Sequence, residues 1–485
     1  MYPEQQIFLV LGLSRSGRSA AQFLLSRGGT VYIYDDIISE RVEKTARELE
    51  AKGAKRVNKE QLSKTSEVCD VLVLSPGIPI DHPLAVAFKR NKKAVVGETE
   101  IAARYMRCPV IGVTGTNGKT TTVSMLTEIL CAGGYQAKAC GNVGTPMIDF
   151  CALEEGSVAV TEISSFQLET LNSLCPHIAI VLNITEDHLS RHYNMENYVF
   201  LKAKLLKNSS EAEYAVLNYD DPTVRGFAER TKAKTVFFSV RERVDGAYFE
   251  NGTLYFKDEK IVEASELLIG GLHNIQNALA AIAAAKIMGV ETQSIASALT
   301  SFKGVRHRIE LVGEVDGVAY IDDSKGTNVD ATLKAVSCMK RETVLLVGGK
   351  NKGYDYSLLF STLRKSPIVH AVLYGENRYE LLTCARAQTF ENVTVCDQFE
   401  FAVKIAAMIA KSGQTVLLSP ASASFDEFAS YEERGEAFVQ IVRALEKAKQ
   451  IPEQPQEQLE ELDDELNQDI DGEHVAEFTQ GGEIE

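Results

Sequence analysis

A strand, a glycine-rich turn and a helix in immediate succession constrain this chain more than any other feature. The segment reads Gly112-Val-Thr-Gly115-Thr-Asn-Gly118-Lys119-Thr120-Thr121, entered by an apolar run from Pro109 and followed by VSMLTEIL. Glycines let the backbone wrap so that successive N–H groups face phosphate oxygens. The start of the helix adds positive dipole, Lys119 a point charge, and Thr120 a hydroxyl suited to Mg²⁺. The spacing is not the strict GxxxxGK form, since Val113 stands five residues before Gly118 and the outer glycine has moved to Gly112. A plain strand-to-helix turn has no need of three glycines followed by Lys-Thr-Thr. Gly115, Thr116, Asn117, Gly118, Lys119, Thr120 and Thr121 are therefore expected to cradle a mononucleotide.

The same alternation recurs along the whole chain. Short Val- and Ile-rich runs ending in Gly, Ser or Asp (IFLVLGL, DVLVLSPG, VAVTEIS, TVLLVGG) alternate with longer helical patterns. Continuous apolar strands between helices predict parallel sheets covered on both faces. One segment, Ala247–Phe256, alternates instead and carries Asn251-Gly252, a hairpin signal. At 485 residues the chain exceeds a single core, and three α/β domains are expected: Rossmann-like over 1–98, P-loop ATPase-like over 99–303, and Rossmann-like over 304–450.

Charge separates a fourth segment. Of 67 acidic residues, 13 lie in Ile451–Glu485, which has no Lys or Arg; the rest leaves 54 acids against 51 bases. A tail of that composition cannot bury enough apolar surface to order itself, so 451–485 is expected to be disordered. A near-neutral body with an acidic tail is a poor partner for nucleic acid. No run approaches the ~18 apolar residues of a membrane span, no basic region precedes the first apolar stretch, and nine cysteines show no CxxC spacing. A cytoplasmic protein without disulfides or zinc is expected.

Two further constellations carry chemistry. Gly12-Leu-Ser14-Arg15-Ser16-Gly17, with Asp35 and Asp36 ending the second strand, resembles a dinucleotide fingerprint in which Ser14 replaces the middle glycine. That departure argues against NAD and for another diphosphate or nucleoside. In the second block, Glu162 and Glu186-Asp187-His188 end apolar strands, where α/β proteins place ligands and where a magnesium ligand would serve the phosphate loop.

Taken together, the GTNGKT loop, EISSFQLE, Asn183-Ile-Thr-Glu-Asp-His188, Leu272-His-Asn274 with Asn277, His307-Arg308, and Asp323-Ser-Lys325-Gly-Thr327-Asn328 follow one another in an order that resembles the Mur ligases. The start FLVLGLSRSG, Ser75-Pro-Gly77-Ile78 and the late run from Leu418 to Gly435 resemble the family's D-glutamate-adding member. The resemblance implies an ATP-dependent amide ligase of peptidoglycan precursor synthesis, acting through an acyl phosphate. It implies ATP contacts from Asn274, Arg308 and Asp323 besides the loop. Lys119, His188, Lys204 and Lys325 would be catalytic, and Thr120, Glu162, His188 and Lys204 would serve two magnesium ions, Lys204 as a CO₂-derived carbamate with Lys202 as the other candidate. A UDP-sugar would be held by Arg15, Ser16, Gly17, Asp35, Asp36, Gly77 and Asn142, and D-glutamate by Thr327, Lys352 (or Lys350), Ser424, Phe425 and Tyr431. The partners implied are small molecules, and a monomer is expected. Another Mur ligase, a folate polyglutamate ligase, or a phosphate-loop protein without ligase activity are the alternatives. The Rossmann-like first block argues against the folate type, and the set Glu162, His188, Arg308 and Lys325 argues against a mere binding module.

Overall fold

A computed structural model describes residues 3–142, 144–152, 156–351 and 353–450. The acidic tail, and with it the expectation of disorder, lies outside these residues, as does Lys352. Three α/β domains follow one another, each built on its own sheet.

The first sheet is parallel, in the order Lys55–Arg56, Thr30–Tyr34, Ile7–Leu11, Val71–Leu74, Ala94–Val96. The chain reverses direction across the sheet at Ile7–Leu11, so a crevice opens at that strand's carboxyl end, where such sheets take ligands. The Gly12–Gly17 turn, Asp35 and the Ser75–Gly77 turn all emerge there.

The central sheet has nine strands. At its heart Val110–Thr114 lies between Ser157–Glu162 and Ile178–Val181, all parallel. The phosphate loop, Glu162 and Asn183 thus leave three adjacent strands on the same side. Next to the far edge lies the expected hairpin, Gly246–Glu250 paired antiparallel with Thr253–Phe256, and Glu259–Glu263 completes that edge. Its turn residues Asn251 and Gly252 take φ of 50° and 84°, as a type I′ turn requires.

The third sheet orders Glu310–Val315, Val318–Asp322, Thr415–Leu418, Thr343–Gly348, Ile368–Tyr374 and Val393–Val395, with only the first strand antiparallel. The strands are apolar on both faces because helices cover both, which is why they read as continuous runs and not as alternation. One apolar cluster runs without a break from Phe8 and Val10 in the first domain through Ile101, Met147 and Ile148 into Leu168 and Leu205 of the second. The third domain keeps clusters of its own and meets the second through polar contacts.

Candidate active site

Helix Lys119–Ala132 starts directly after the loop, and its first residue is the loop lysine. Gly118 makes the corner at φ 87°, and a Cβ there would stand 2.2 Å from Asn277 Oδ1. The turn has no room for a side chain, which is the physical reason for glycine at this position. The Lys119 ammonium folds back onto the Gly115 and Thr116 carbonyls at 2.9 and 2.7 Å.

A run of hydrogen bonds crosses from the third domain to the second. Lys325 Nζ donates to Thr120 Oγ1 at 2.6 Å, Thr120 Oγ1 donates to Glu162 Oε2 at 2.6 Å, and Asn142 Nδ2 donates to Glu162 Oε1 at 3.0 Å. Burial alone would raise the Glu162 carboxyl; Lys325 and Lys119, with the Thr120 and Asn142 hydrogen bonds, outweigh it and hold the group low. It is a buried, ionised carboxylate. Burial pulls Lys325 down to about 8 against the attraction of Glu162, with Arg308 and Lys119 adding to the fall. Lys119 is lowered by burial, partly offset by Glu162 and Asp187.

Arg308 reaches Thr121 Oγ1 at 3.4 Å while its Nε is buried with no partner. It lines a cleft together with Asn117, Gly118, His273, Asn277 and Asp323. Asp323 is buried, accepts from Ser419 Oγ at 2.6 Å, and is pushed by burial to about 7. Asn274 donates to the Gly270 carbonyl and accepts from Asn277 beside it. The cleft therefore joins a phosphate loop to a carboxyl and the amides of Asn117, Asn183, Gln276 and Asn277, the inventory a nucleotide's phosphates, ribose and base would meet.

In the first domain Asp35 accepts from Leu13 N at 2.7 Å and Ile37 N at 2.9 Å, fixing the crevice mouth. Asp36 pairs with His82 at 3.1 Å. Gly17 packs on the Gly12 carbonyl so closely that a Cβ would sit 1.8 Å from it, and Ser16 lies half-exposed on the same helix turn. Arg15 crosses to the second domain and donates to the Gly144 carbonyl at 2.7 Å.

Models of three families match in series: the Mur ligase MurD-like N-terminal domain over residues 6–97, the Mur ligase middle domain over 113–285, and the Mur ligase glutamate ligase domain over 307–422. A UDP-N-acetylmuramoylalanine–D-glutamate ligase of Pelotomaculum thermopropionicum is 41% identical over 452 residues, covering 90% of this chain and 98% of the relative. One from Clostridioides difficile is 38% identical over 443 residues, with 90% and 98% covered. The chain belongs to the Mur ligase family. Solved structures share the fold at lower identity: a UDP-N-acetylmuramate–alanine ligase of Thermotoga maritima (18% identical, TM-score 0.58, 90% of this chain and 99% of that one) and a MurF ligase of the same organism in complex with ADP (18%, 0.57, 91% and 95%).

In this Mur ligase the expected residues divide. Lys119, Thr120, Glu162 and Lys325 converge, and Asn142 joins them on Glu162. Tyr431 meets Lys325, its hydroxyl accepting at 3.2 Å and its ring 5.0 Å from the ammonium. Thr327 follows one turn after Lys325, its N–H on the Lys325 carbonyl, and Ser424 is buried nearby on the chain that leads to Tyr431. Phe425 is 65% exposed. Lys350 is exposed and pairs with Glu376 at 3.7 Å. Gly77 offers its carbonyl to Arg191 at 3.4 Å. His188 stands at φ 55° with its ring 4.7 Å from that of Phe166 and 3.6 Å from Asp187.

Lys204 is a correction. Its ammonium donates to the Leu168 and Glu169 carbonyls, on the side of its helix away from the loop. Lys202 takes the central position. It is 1% exposed, donates to the Gly115 carbonyl at 2.9 Å, lies 4.6 Å over the Tyr198 ring, and is lowered well below an ordinary lysine by burial and by Lys119. The sequence carries the signal: Tyr198 and Lys202 are four apart and share a helix face, and both are buried.

The long-range partners of these groups were not legible. Asp187 accepts from Tyr354 and from Asn328 of the third domain, and Asp330 from Asn117 of the loop and from Lys334. Arg434 is wholly buried and donates to the Ser324 hydroxyl and to the Ser324, Ser422 and Ala423 carbonyls, tying the Asp323–Lys325 turn to the strand end that leads to Ser424.

Proposed function

We propose that this Mur ligase couples ATP cleavage to formation of the amide between UDP-N-acetylmuramoyl-L-alanine and D-glutamate, in peptidoglycan precursor synthesis. The run Lys325–Thr120–Glu162–Asn142 carries the reading, because it brings a lysine of the third domain onto the phosphate loop. The names of relatives covered over 98% of their length supply the two acceptors.

The L-alanyl carboxylate attacks the γ-phosphorus, ADP leaves, and an acyl phosphate forms. The unprotonated amine of D-glutamate then attacks the acyl carbon, and the tetrahedral adduct expels phosphate. Both steps build negative charge on oxygen, so fixed cations supply the catalysis without a protein nucleophile. Lys119 is the cation of the loop and Arg308 faces the same cleft from the third domain. Lys325 holds its charge between Thr120 and Tyr431, where the two substrates would meet. Asn274 and Asp323 suit the nucleoside, the Arg15–Gly17 turn, Asp35, Asp36, Gly77 and Asn142 the UDP-sugar, and Thr327, Lys352, Ser424, Phe425 and Tyr431 the D-glutamate.

Thr120, Glu162 and His188 are the candidate magnesium ligands. The fit is chemical: Glu162 is ionised despite burial, and each of its oxygens accepts one hydrogen bond, leaving lone pairs for a hard cation. Bound magnesium would neutralise charge on the phosphate oxygens. A second ion and the CO₂-derived carbamate belong to the same reading, with Lys202 replacing Lys204 as its bearer. A buried lysine on which burial and Lys119 outweigh the attraction of Asp187 and Glu162 favours its neutral amine, the form that takes up CO₂. We place the domain limits at 98/99 and 303/304, and take the enzyme to act as a cytoplasmic monomer. Among the described residues no helix is long and apolar enough to cross a membrane.

The test is phosphate release from ATP with UDP-N-acetylmuramoyl-L-alanine and each of D-glutamate, L-glutamate, L-alanine and a folyl acceptor, with products weighed by mass spectrometry. Release and a new amide only with D-glutamate are expected. Turnover with a different amino acid or acceptor, or none at all, overturns the assignment.

A further inference from the structure

Behind the helix that carries Lys202 lies a second cleft, of about 810 Å³, on the outer face of the central domain. No carboxylate lines it among the described residues; its wall holds Phe200, Lys204, Lys207, Phe227, Arg230 and Lys232. Lys207, Arg230 and Lys232 enter no ion pair among the described residues, although the body as a whole is nearly neutral. Phe200 is 67% exposed at its mouth. The catalytic reading uses none of this.

We propose that the cleft receives the acidic segment Ile451–Glu485 of the same chain. The charges are complementary: 13 carboxylates and no Lys or Arg in the segment, unpaired cations and no carboxylates in the cleft. The apolar parts match as well. Leu459, Leu462, Leu466 and Ile470 recur at spacings of three and four between acidic residues, the pattern of a stripe that seats on an apolar surface, and the exposed Phe200 ring supplies one. Reach is no obstacle, since the segment spans up to roughly 110 Å when extended. Because Phe200 and Ala203 of the wall belong to the same helix as Lys202, an occupied cleft braces the element that positions that lysine.

Zero-length carbodiimide coupling of carboxylates to lysines, on the full chain and mapped by mass spectrometry, tests the proposal. The dominant bonds from the segment are expected at Lys207 and Lys232. They should fall several-fold in ~1 M salt, where the screening length is about 3 Å. Arg230→Glu, at an exposed position that cannot itself be coupled, should reduce them several-fold while circular dichroism stays unchanged. Mixing isotopically heavy and light chains should give bonds within one chain. Bonds scattered over unrelated lysines, bonds joining heavy to light chains, or yields unaffected by Arg230→Glu would each overturn it.

Discussion

Lys202 and Lys204 sit two residues apart, which on a helix turns them roughly 200° around the axis. One consequently faces the phosphate loop and the other the outer cleft. Lys202→Ala is expected to abolish turnover, since it empties a buried site beside Gly115, whereas Lys204→Ala should stay within a few-fold of wild type. If the amine works as a carbamate, formate or acetate at high concentration should restore part of the Lys202→Ala activity, measured as D-glutamate-dependent phosphate release. Full activity in Lys202→Ala would remove the lysine from the mechanism. Asp323 offers a test in pH. Its carboxyl ionises near 7 in the fold but near 4 unfolded, so the folded chain holds a proton that the unfolded chain has released between those values. Stability from this group therefore falls as pH rises from about 4 to about 7 and is level above, by up to roughly 4 kcal/mol in all. Asp323→Asn should raise the unfolding midpoint at pH 8, lose that gain towards pH 4, and weaken ATP use. A pH-independent change in midpoint would contradict the burial argument.

At the scale of elements, the strand–loop–helix unit was legible because local rules specify it: apolar strand, glycines, Lys-Thr-Thr, then helix. The hairpin at Asn251-Gly252 was legible for the same reason, and Glu162 because it ends a strand beside the loop. What escaped was long-range. Asp187 with Tyr354, Asp330 with Asn117, and Arg434 with the Ser324 turn lie 167, 213 and 110 residues apart, and no local pattern couples such pairs. Lys202 ranked second by phase, since three lysines in six residues read equally well as a solvated face until Tyr198 fixes which side is buried. The corner residue shows how tightly the loop is built. Gly118→Ala would combine positive φ with a Cβ 2.2 Å from Asn277, a strain on the order of 1–3 kcal/mol. The KM for ATP should rise roughly tenfold or more. Gly252→Ala is the control: also at positive φ, but with nothing within 4 Å, it should lower the midpoint and leave the KM unchanged. Equal KM effects from both would show that the loop is not shaped by Gly118.

For the whole molecule, the difference between the two interdomain junctions decides what moves. The first and second domains share one continuous apolar cluster and are further tied by Arg191, which pairs with Glu169 at 2.6 Å and donates to the Ile78 carbonyl at 2.7 Å. The third domain meets the second through Lys325 on Thr120, Arg308 on Thr121, Asp330 on Asn117 and Tyr354 on Asp187. Polar junctions of that kind separate at a cost of about 1 kcal/mol per bond, and domain closure is the usual way such enzymes complete a site. Tyr354→Phe combined with Asp330→Ala removes two clasps between the domains, so it should shift the population towards an opened third domain by roughly 10- to 100-fold. Small-angle scattering should then show a larger radius of gyration. The KM for ATP and for D-glutamate should rise together, because both sites need the third domain. The KM for the UDP-sugar should hold, because the crevice proposed for it lies in the first. A uniform rise for all three substrates, or an unchanged radius, would mean that the third domain does not hinge at these contacts.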